Sequence, residues 1–457
     1  MLIGFSVSNF LSFNESQSIS FMASKVVRHK EHIHEIQGKR ILKSGLIFGA
    51  NASGKSNLIK AVEFSRRIIT NGLEDVDTEK KHFRITKENY KFPGVFQFDI
   101  LIKDVTYSYG FAVSYQKKEI VAEWLIKHYK TKESYVFNRE VDEQGRHIIS
   151  SEVDIRSIED KKRFEVYLND FRDNQNLKLK KSLILTELAE RSGSGKGVFQ
   201  SILDVFNWFK SMIIIFPNSK YRGLNDLISD PKRKGNFLNM LSFFDTGIEG
   251  LSENIIEYDK ILGKLPDKEA EDFRVMVSNR IPDTPITVGI GNEIFTLRKD
   301  GSGKIIAKKL LLNHGNEEDL FDSEDESDGT KRLFDLIPLF MLKDQNRVIL
   351  IDEIDRSLHT KLTYRFLEIF YEIARDKATQ LIATTHDSSL LDLDLIRQDE
   401  IWFVEREQDK SSKLYSLDKF KQRFDKKIEK DYLIGRYGGI PIFTEELLEM
   451  EDQHGDQ

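Results

Sequence analysis

The chain of 457 residues contains no cysteine, which excludes disulfide bonds, zinc sites built on thiolates and cysteine nucleophiles. Its apolar runs are short, and none approaches the length of about 20 residues that a membrane-spanning helix requires. The opening residues, MLIGF, carry neither a basic flank nor a long apolar segment, so we expect no secretory signal peptide. These absences favour a protein of the reducing cytoplasm that has no membrane partner.

A strong excess of charge of one sign is also missing, because 69 basic residues nearly balance 75 acidic residues and the formal net charge is −6. The sequence as a whole therefore does not predict nucleic-acid binding, which would have to rely on a local basic face. Basic residues cluster within residues 178–181, 232–234 and 419–430. We interpret each cluster as a solvated helix face, and the question of bound DNA or RNA stays open.

The most informative segment present is residues 49–56, which read GANASGKS and match the phosphate-binding pattern G-x-x-x-x-G-K-[ST] at every position. Residues 46–48 before it are typical of a short buried strand, and residues 57–69 after it carry apolar side chains at helical spacing. The glycines let the backbone curl around an anion, and the helix N-terminus adds a favourable dipole. We expect Lys55 to reach the β- and γ-phosphates of a nucleotide and the Ser56 hydroxyl to bind Mg²⁺. The other expected phosphate-binding residues are Gly49, Asn51, Ser53, Gly54 and Asn57.

A second half of the same site follows much later in the chain. Residues 347–351 are a continuous apolar run, typical of a strand buried in a parallel sheet, and they end in Asp352 and Glu353. We expect Asp352 to hold Mg²⁺ and Glu353 to polarise the attacking water. The next apolar strand, residues 380–385, ends at His386, at the edge where ligands bind in open α/β sheets.

The spacing of the two halves selects the class of nucleotide-binding protein. Lys55 and Asp352 lie 297 residues apart, whereas one β–α–β unit needs only about 30 residues. A large insertion therefore separates the halves, which argues against a small GTPase, a simple kinase or a compact ring ATPase. The guanine-binding pattern N-K-x-D is also absent from the sequence.

The inserted residues contain several distinct patterns. Residues 90–130 alternate apolar and polar side chains, which predicts an antiparallel meander. Residues 155–210 are helical in pattern without sustained heptads, which favours a compact helical insert over a long coiled coil. Residues 211–217 predict a strand that returns to the core, and residues 299–303 predict a hairpin turn between two strands.

Shortly before the Asp-Glu strand, residues 327–331 read SDGTK and open a predicted helix. With the motifs above, this set resembles the ABC-type ATPases of the SMC and RecF kind. Residues 327–331 lie where that class carries its signature motif, although they depart from its common Ser-Gly-Gly-Gln form. Residues 355–359 are similar to the D-loop of the class and His386 to its switch histidine, while residues 7–13 resemble its N-terminal strand and turn.

A narrower resemblance lies near the end of the sequence. Residues 435–441 read GRYGGIP and resemble the tail of stand-alone bacterial ATPases of abortive-infection and phage-defence operons, relatives of the overcoming-lysogenization-defect (OLD) ATPases. The two resemblances together cover about residues 1–115 and 285–445. They imply an α/β fold, an ABC-type P-loop ATPase head with a flanking antiparallel sheet and a helical insertion. At this length two or three domains are expected, and we predict divisions at residues 1–150, 151–280 and 281–457.

The resemblance also implies a mechanism and partners. Mg-ATP would bind between two copies of the chain, with His386 sensing the γ-phosphate and with Ser327 and Gly329 closing the neighbouring subunit's site. The first hypothesis is a cytoplasmic sensor ATPase of an antiviral, toxin–antitoxin-like system that controls a separately encoded effector such as a TOPRIM nuclease. Only 71 residues follow His386, so we expect no TOPRIM domain in this chain. The alternatives are a RecF-like DNA-repair ATPase that binds DNA directly and, third, a transporter nucleotide-binding subunit.

Overall fold

The computed structural model describes residues 1–172, 177–193, 196–218, 230–279, 286–290, 293–342, 346–420 and 427–440. The chain forms two compact units that interleave along the sequence. Unit 1 comprises Met1–Ile214, Asn346–Ile354 and Ala374–Gln457, and unit 2 comprises Ile215–Gln345 and Asp355–Ile373. The predicted divisions at residues 150 and 280 stay a prediction.

The strands are β1 Leu2–Ser8, β2 Gln17–Ser20, β3 Ile33–Ile36, β4 Lys39–Leu42, β5 Ser44–Phe48, β6 Gly94–Ile102, β7 Val105–Ser114, β8 Glu119–His128, β9 Glu133–Val141, β10 His147–Ser150, β11 Ile213–Ile215, β12 Gly250–Ile256, β13 Ile286–Ile290, β14 Glu293–Lys299, β15 Ile305–Asn313, β16 Phe321–Asp322, β17 Val348–Ile351, β18 Gln380–Thr384, β19 Ile401–Arg406 and β20 Ser412–Ser416. The α-helices are α1 Lys55–Asn71, α2 Ile158–Arg172, α3 Leu177–Lys181, α4 Ile184–Arg191, α5 Val198–Ser211, α6 Pro231–Phe243, α7 Tyr258–Leu262, α8 Asp267–Ser278, α9 Asp328–Leu336, α10 Thr360–Ala374 and α11 Ile428–Leu433. Within the described ranges, no helix combines the length and apolar character needed to cross a bilayer.

A mostly parallel sheet with the order β11-β17-β18-β5-β19-β20 carries the predicted site. Neighbouring strands pair in parallel from β17 to β19, and β20 closes the edge antiparallel to β19. Every residue of β5, β17 and β18 is buried, which explains why their sequences read as continuous apolar runs rather than alternating ones. Because parallel strands end at the same edge, the segments that follow β5, β17 and β18 become neighbours.

A second sheet of unit 1 is antiparallel and follows the order β10-β9-β8-β7-β6-β1-β2. The predicted meander is therefore confirmed, and its alternation places Phe96, Phe98 and Ile100 in the core. Phe96 packs against Phe64 of α1 at a ring-centroid distance of 5.4 Å, which ties this sheet to the helix that follows the phosphate-binding motif. Phe98 packs edge-on against Phe209 of α5 at 4.9 Å.

The predicted helical insert is confirmed as α2 to α5, and the strand predicted after it is confirmed as β11. The resulting α/β fold, in which a parallel sheet is flanked by an antiparallel sheet and a helical insertion, agrees with the sequence prediction. Residues 194–195 and 421–426, the latter within the basic cluster at 419–430, lie outside the described residues.

Unit 2 contains a five-stranded antiparallel sheet in which β15 pairs with β12, β14 and β16, and β13 pairs with β14. Helices α7 and α8 contribute to its apolar core, which includes Ile261, Val277, Phe295 and Leu297. The predicted hairpin turn is confirmed between β14 and β15, where the Asp300 carboxylate accepts hydrogen bonds from nearby backbone N–H groups.

A buried carboxylate joins the helical insert to the antiparallel sheet. Glu123 of β8 is fully buried and accepts hydrogen bonds from the backbone N–H groups of Ile184 at 2.6 Å and Leu185 at 3.0 Å, at the start of α4. The Tyr109 hydroxyl donates to the same carboxylate at 3.0 Å. Burial raises the pKa of Glu123 to about 7, against the opposing influence of Arg139. Glu123 thus caps a helix whose own N-cap residue supplies no side-chain bond.

Replacing Glu123 with alanine should lower the free energy of unfolding by about 3 kcal/mol, because two helix N–H groups, a tyrosine hydroxyl and the buried Arg139 would lose their acceptor or counter-charge. Urea unfolding of both proteins measures this difference. Glu143→Ala, at an exposed position in the turn after β9, is the matched control and should change the unfolding free energy little. Equal stability of the Glu123 variant and the wild type would show that the carboxylate does not hold the insert in place.

Candidate nucleotide-binding site

The loop between β5 and α1 is shaped by two glycines that cannot be replaced without a collision. A Cβ atom on Gly49 would strike the carbonyl oxygen of Val404 and lie 2.8 Å from Ser53 Oγ. Gly54 has a φ of +110°, and a Cβ atom there would strike Ser412 Oγ. The backbone is therefore packed tightly on β19 and β20, and it curls in the conformation that the pattern of glycines predicts.

Lys55 points into this curl rather than into solvent. Its side chain is 4% exposed, and Nζ donates to the carbonyl oxygens of Gly49 at 2.7 Å and Ala50 at 3.0 Å. The hydroxyl of Ser53 is also buried, and within the described part of the chain it has no hydrogen-bond partner. An ammonium group and an unsatisfied hydroxyl inside a loop that begins a helix form a cradle whose chemistry suits phosphate oxygens.

Ser12 and Ser412, from distant parts of the chain, hold the loop in place through hydrogen bonds. Ser412 Oγ donates to the carbonyl oxygen of Ser53 at 2.5 Å and lies 2.7 Å from Ser12 Oγ. The Asn57 amide donates to Ser12 Oγ at 2.8 Å, so this side chain ties the start of α1 to the β1–β2 turn, and its expected contact with phosphate stays a prediction. Asn51 is exposed in the loop.

The end of β17 carries the two predicted carboxylates. Asp352 is 2% exposed, and its Oδ1 accepts a hydrogen bond from Thr384 Oγ1 at 2.7 Å. The same threonine hydroxyl accepts from the backbone N–H of Glu353 at 2.8 Å. Glu353 has a φ of +50°, a left-handed conformation that non-glycine residues adopt rarely and that is found at functional sites. Thr384 therefore positions both acidic residues, a role that the sequence did not indicate.

His386 follows β18 and completes the group of predicted residues in unit 1. Its Nδ1 atom lies 3.3 Å from Lys55 Nζ, so the motif after β5 and the histidine after β18 meet at one edge of the sheet. Because β18 pairs in parallel with both β5 and β17, Asp352 and Glu353, which follow β17, lie at the same edge. The fold thus brings to one sheet edge the two predicted halves of the site, which lie about 300 positions apart in sequence.

The donor set at this edge fits a magnesium ion. Ser56 lies in the first turn of α1 and Asp352 directly follows β17. The hydroxyl and the carboxylate both offer the hard oxygen ligands that Mg²⁺ prefers. The assignment of Ser56 and Asp352 as Mg²⁺ ligands stays a prediction with which this chemistry is compatible.

The signature-like segment belongs to unit 2. Ser327 is the N-cap of α9, where its Oγ accepts from the backbone N–H of Thr330 at 3.1 Å. A Cβ atom on Gly329 would lie 2.8 Å from the carbonyl oxygen of Ser357. The glycine thus lets α9 approach residues 355–359, so the two segments that resemble a signature motif and a D-loop are neighbours within this unit.

Two of the solved structures that match this chain align with almost its whole length at low sequence identity. An SMC head bound to the C-winged helix domain of ScpA shares 15% identity, with a TM-score of 0.40, and the alignment covers 92% of this chain and 98% of that one. The SMC head domain from Thermotoga maritima shares 14% identity, with a TM-score of 0.32 and coverages of 91% and 98%. A search among curated proteins found no match.

A family model gives the assignment. It matches residues 46–392, from β5 and the phosphate-binding loop to just beyond His386, and is described as "AAA domain, putative AbiEii toxin, Type IV TA system". The match covers most of the chain, including Lys55, Asp352, Glu353 and His386, and it confirms the predicted relation to AAA ATPases of abortive-infection systems. The chain belongs to this family of AAA domains.

Proposed function

We propose that the protein binds Mg-ATP at the loop after β5 and hydrolyses it by in-line attack of water. The observation that carries this proposal is the convergence of Lys55, Asp352, Glu353 and His386 at one edge of the parallel sheet, with Lys55 Nζ 3.3 Å from His386 Nδ1. Phosphoryl transfer depends mainly on positioning and on neutralising charge, and these residues supply both.

Each residue has a distinct role in this proposal. Lys55 and the loop N–H groups bind the β- and γ-phosphates, and His386 contacts the γ-phosphate. Glu353 orients a water molecule whose oxygen attacks the γ-phosphorus, and it accepts the proton while the bond to the ADP oxygen breaks. Thr384 fixes the positions of Asp352 and Glu353 through its hydroxyl, which donates to the Asp352 carboxylate and accepts from the Glu353 backbone N–H group. Mg²⁺, held by Ser56 and Asp352, would neutralise charge on the phosphate oxygens.

The catalytic pocket is completed by a second copy of the chain in this proposal. The start of α9 offers Ser327, exposed to solvent, and the backbone at Gly329, where the helix dipole favours an anion. The Ser327 hydroxyl accepts a bond from Thr330, and a hydroxyl that accepts can still donate to a phosphate oxygen. A symmetric pair would contain two equivalent sites, and ATP would hold the pair together.

Ser327→Arg should suppress ATP turnover at least tenfold, because a long cationic side chain at the start of α9 would block the approach of the second subunit. Steady-state phosphate release over a range of protein concentrations measures this, and the wild-type rate per subunit should rise with concentration. Ser302→Arg, in the exposed β14–β15 hairpin of the same unit, is the matched control. Normal turnover by Ser327→Arg, or a wild-type rate independent of concentration at high dilution, would contradict the shared site.

The biological role that we propose is a cytoplasmic sensor ATPase that controls a separately encoded effector in an antiviral, toxin–antitoxin-like system. The family description, which names a type IV toxin–antitoxin system, supports this role. A nuclease of the TOPRIM type is the proposed effector. Purification of the native complex, with its bound chain identified, tests the proposal, and ATP turnover that is stimulated by duplex DNA without any partner would favour a DNA-repair ATPase.

A further inference from the structure

The glycine pair Gly438-Gly439 lies close to the first glycine of the loop between β5 and α1. A Cβ atom on Gly439 would lie 3.5 Å from the Cα atom of Gly49 and 3.6 Å from the carbonyl oxygen of Val404. Gly49 is itself pressed on Val404. Gly49 therefore lies against Val404 of β19, and the side of Gly439 that would carry a Cβ atom faces Gly49 at a distance that leaves room for about one further atom.

Aromatic stacking and two hydrogen bonds hold the segment in this position. Tyr432 and Tyr437 both stack on Phe403 of β19, at centroid distances of 5.4 Å and 5.7 Å and interplanar angles of 18° and 17°. The Tyr432 hydroxyl donates to the carbonyl oxygen of Gly439 at 3.0 Å in a buried contact. The Tyr415 hydroxyl donates to the carbonyl oxygen of Tyr437 at 2.5 Å.

The backbone conformation shows why glycine occupies both positions. Gly438 and Gly439 have φ values of +68° and +67°, in the left-handed region that side chains disfavour. A Cβ atom on Gly438 would lie 2.6 Å from Tyr415 Oη and 2.7 Å from Glu405 Oε2. The chain thus makes a tight bend that places Gly439 near Gly49 with no side chain between them.

Gly49, the residue that Gly439 approaches, is hydrogen-bonded to the lysine of the proposed phosphate site. The carbonyl oxygen of Gly49 accepts a hydrogen bond from Lys55 Nζ at 2.7 Å, so a displacement of Gly49 would move an acceptor of the phosphate-binding ammonium group. We propose that Gly439, held by Tyr432, is a positioning residue of the nucleotide site that sets the conformation of Gly49 and, through it, the affinity for ATP. This inference rests on the proposed ATP-binding function.

A matched pair of tyrosine variants tests the inference. Tyr432→Phe keeps its ring on Phe403 but loses the bond to Gly439, whereas Tyr437→Phe keeps its ring on Phe403 and loses only the bond to Asp431. We expect Tyr432→Phe to raise the Kd for ATP about threefold to tenfold, the range for one net hydrogen bond. Because Glu353 and Asp352 are untouched, kcat should stay within about twofold, and Tyr437→Phe should leave both constants unchanged.

Equilibrium binding of a fluorescent ATP analogue to the full chain, together with KM and kcat from phosphate release, gives the required readouts. Gly439→Val should raise the Kd further, and Gly38→Val, at another left-handed glycine with a φ of +77° and no atom within 4 Å of an added Cβ, controls for backbone strain. Unchanged Kd in Tyr432→Phe, or an equal rise in both tyrosine variants, would overturn the positioning role. A wild-type chain that does not bind ATP would instead overturn the proposed function, so the two failures are distinguishable.

Discussion

Lys55→Ala is expected to weaken ATP binding at least 100-fold, so that no complex forms at micromolar nucleotide. The side chain is almost fully buried in the loop, where Nζ donates hydrogen bonds to two loop carbonyls. A charge-assisted hydrogen bond contributes about 1.5–3 kcal/mol, and Lys55 would make more than one. The combined loss is equivalent to a change of about two orders of magnitude in Kd or more.

Isothermal titration with Mg-ATP measures this effect on the folded variant. Lys60→Ala is the matched control, because Lys60 lies on the same helix at an exposed position and should bind ATP like the wild type. Circular dichroism of both variants establishes that α1 is intact. Affinity close to that of the wild type in Lys55→Ala would remove the loop from the nucleotide site, whatever the sequence pattern suggests.

The elements that sequence could predict are those whose signal is local. Strands β5, β17 and β18 are buried on both faces, and their apolar runs, each followed by residues of a predicted motif, predicted both the strands and the sheet edge at which their carboxyl ends meet. The phosphate-binding loop was predictable for the same reason, because Gly49 and Gly54, which the packing of the loop requires, both lie within one segment of eight residues.

The elements that sequence could not predict depend on contacts between distant residues with no pattern of their own. Ser412 supports the loop through the Ser53 carbonyl, 359 positions away, and a lone serine in an edge strand carries no signal of that role. Thr384 was expected only as part of a strand, although its hydroxyl joins Asp352 to Glu353. No sequence pattern predicts that Glu123 caps α4 from a buried position, since a glutamate in a strand usually faces solvent.

The conformation of Glu353 explains why its replacement should separate binding from chemistry. Its backbone is left-handed and is held by the bond from its N–H group to Thr384, a contact that glutamine at this position preserves. Its side chain is only half-buried and begins at the edge where Lys55 and His386 meet. Changing the carboxylate to an amide should therefore remove the proposed base without moving the loop that would bind ATP.

Glu353→Gln is expected to lower kcat by about 10²- to 10⁴-fold, the usual contribution of a general base, with the Kd for ATP within about threefold of the wild type. Single-turnover phosphate release and nucleotide binding on the same preparation measure the two quantities. If ATP holds two subunits together, this variant should also accumulate as a dimer with bound ATP in sedimentation velocity, because the step that releases the pair is slowed.

The control for this variant is Glu15→Gln, at an exposed position in the β1–β2 turn, which should leave turnover unchanged. Three outcomes of the Glu353 experiment discriminate between explanations. Slow turnover with normal ATP binding assigns the base, whereas turnover and binding lost together would mean that the substitution disturbs the strand end instead. Normal turnover would exclude Glu353 from the chemistry. The water would then have to be oriented by another group at the same edge, and His386, 3.3 Å from Lys55, is a candidate.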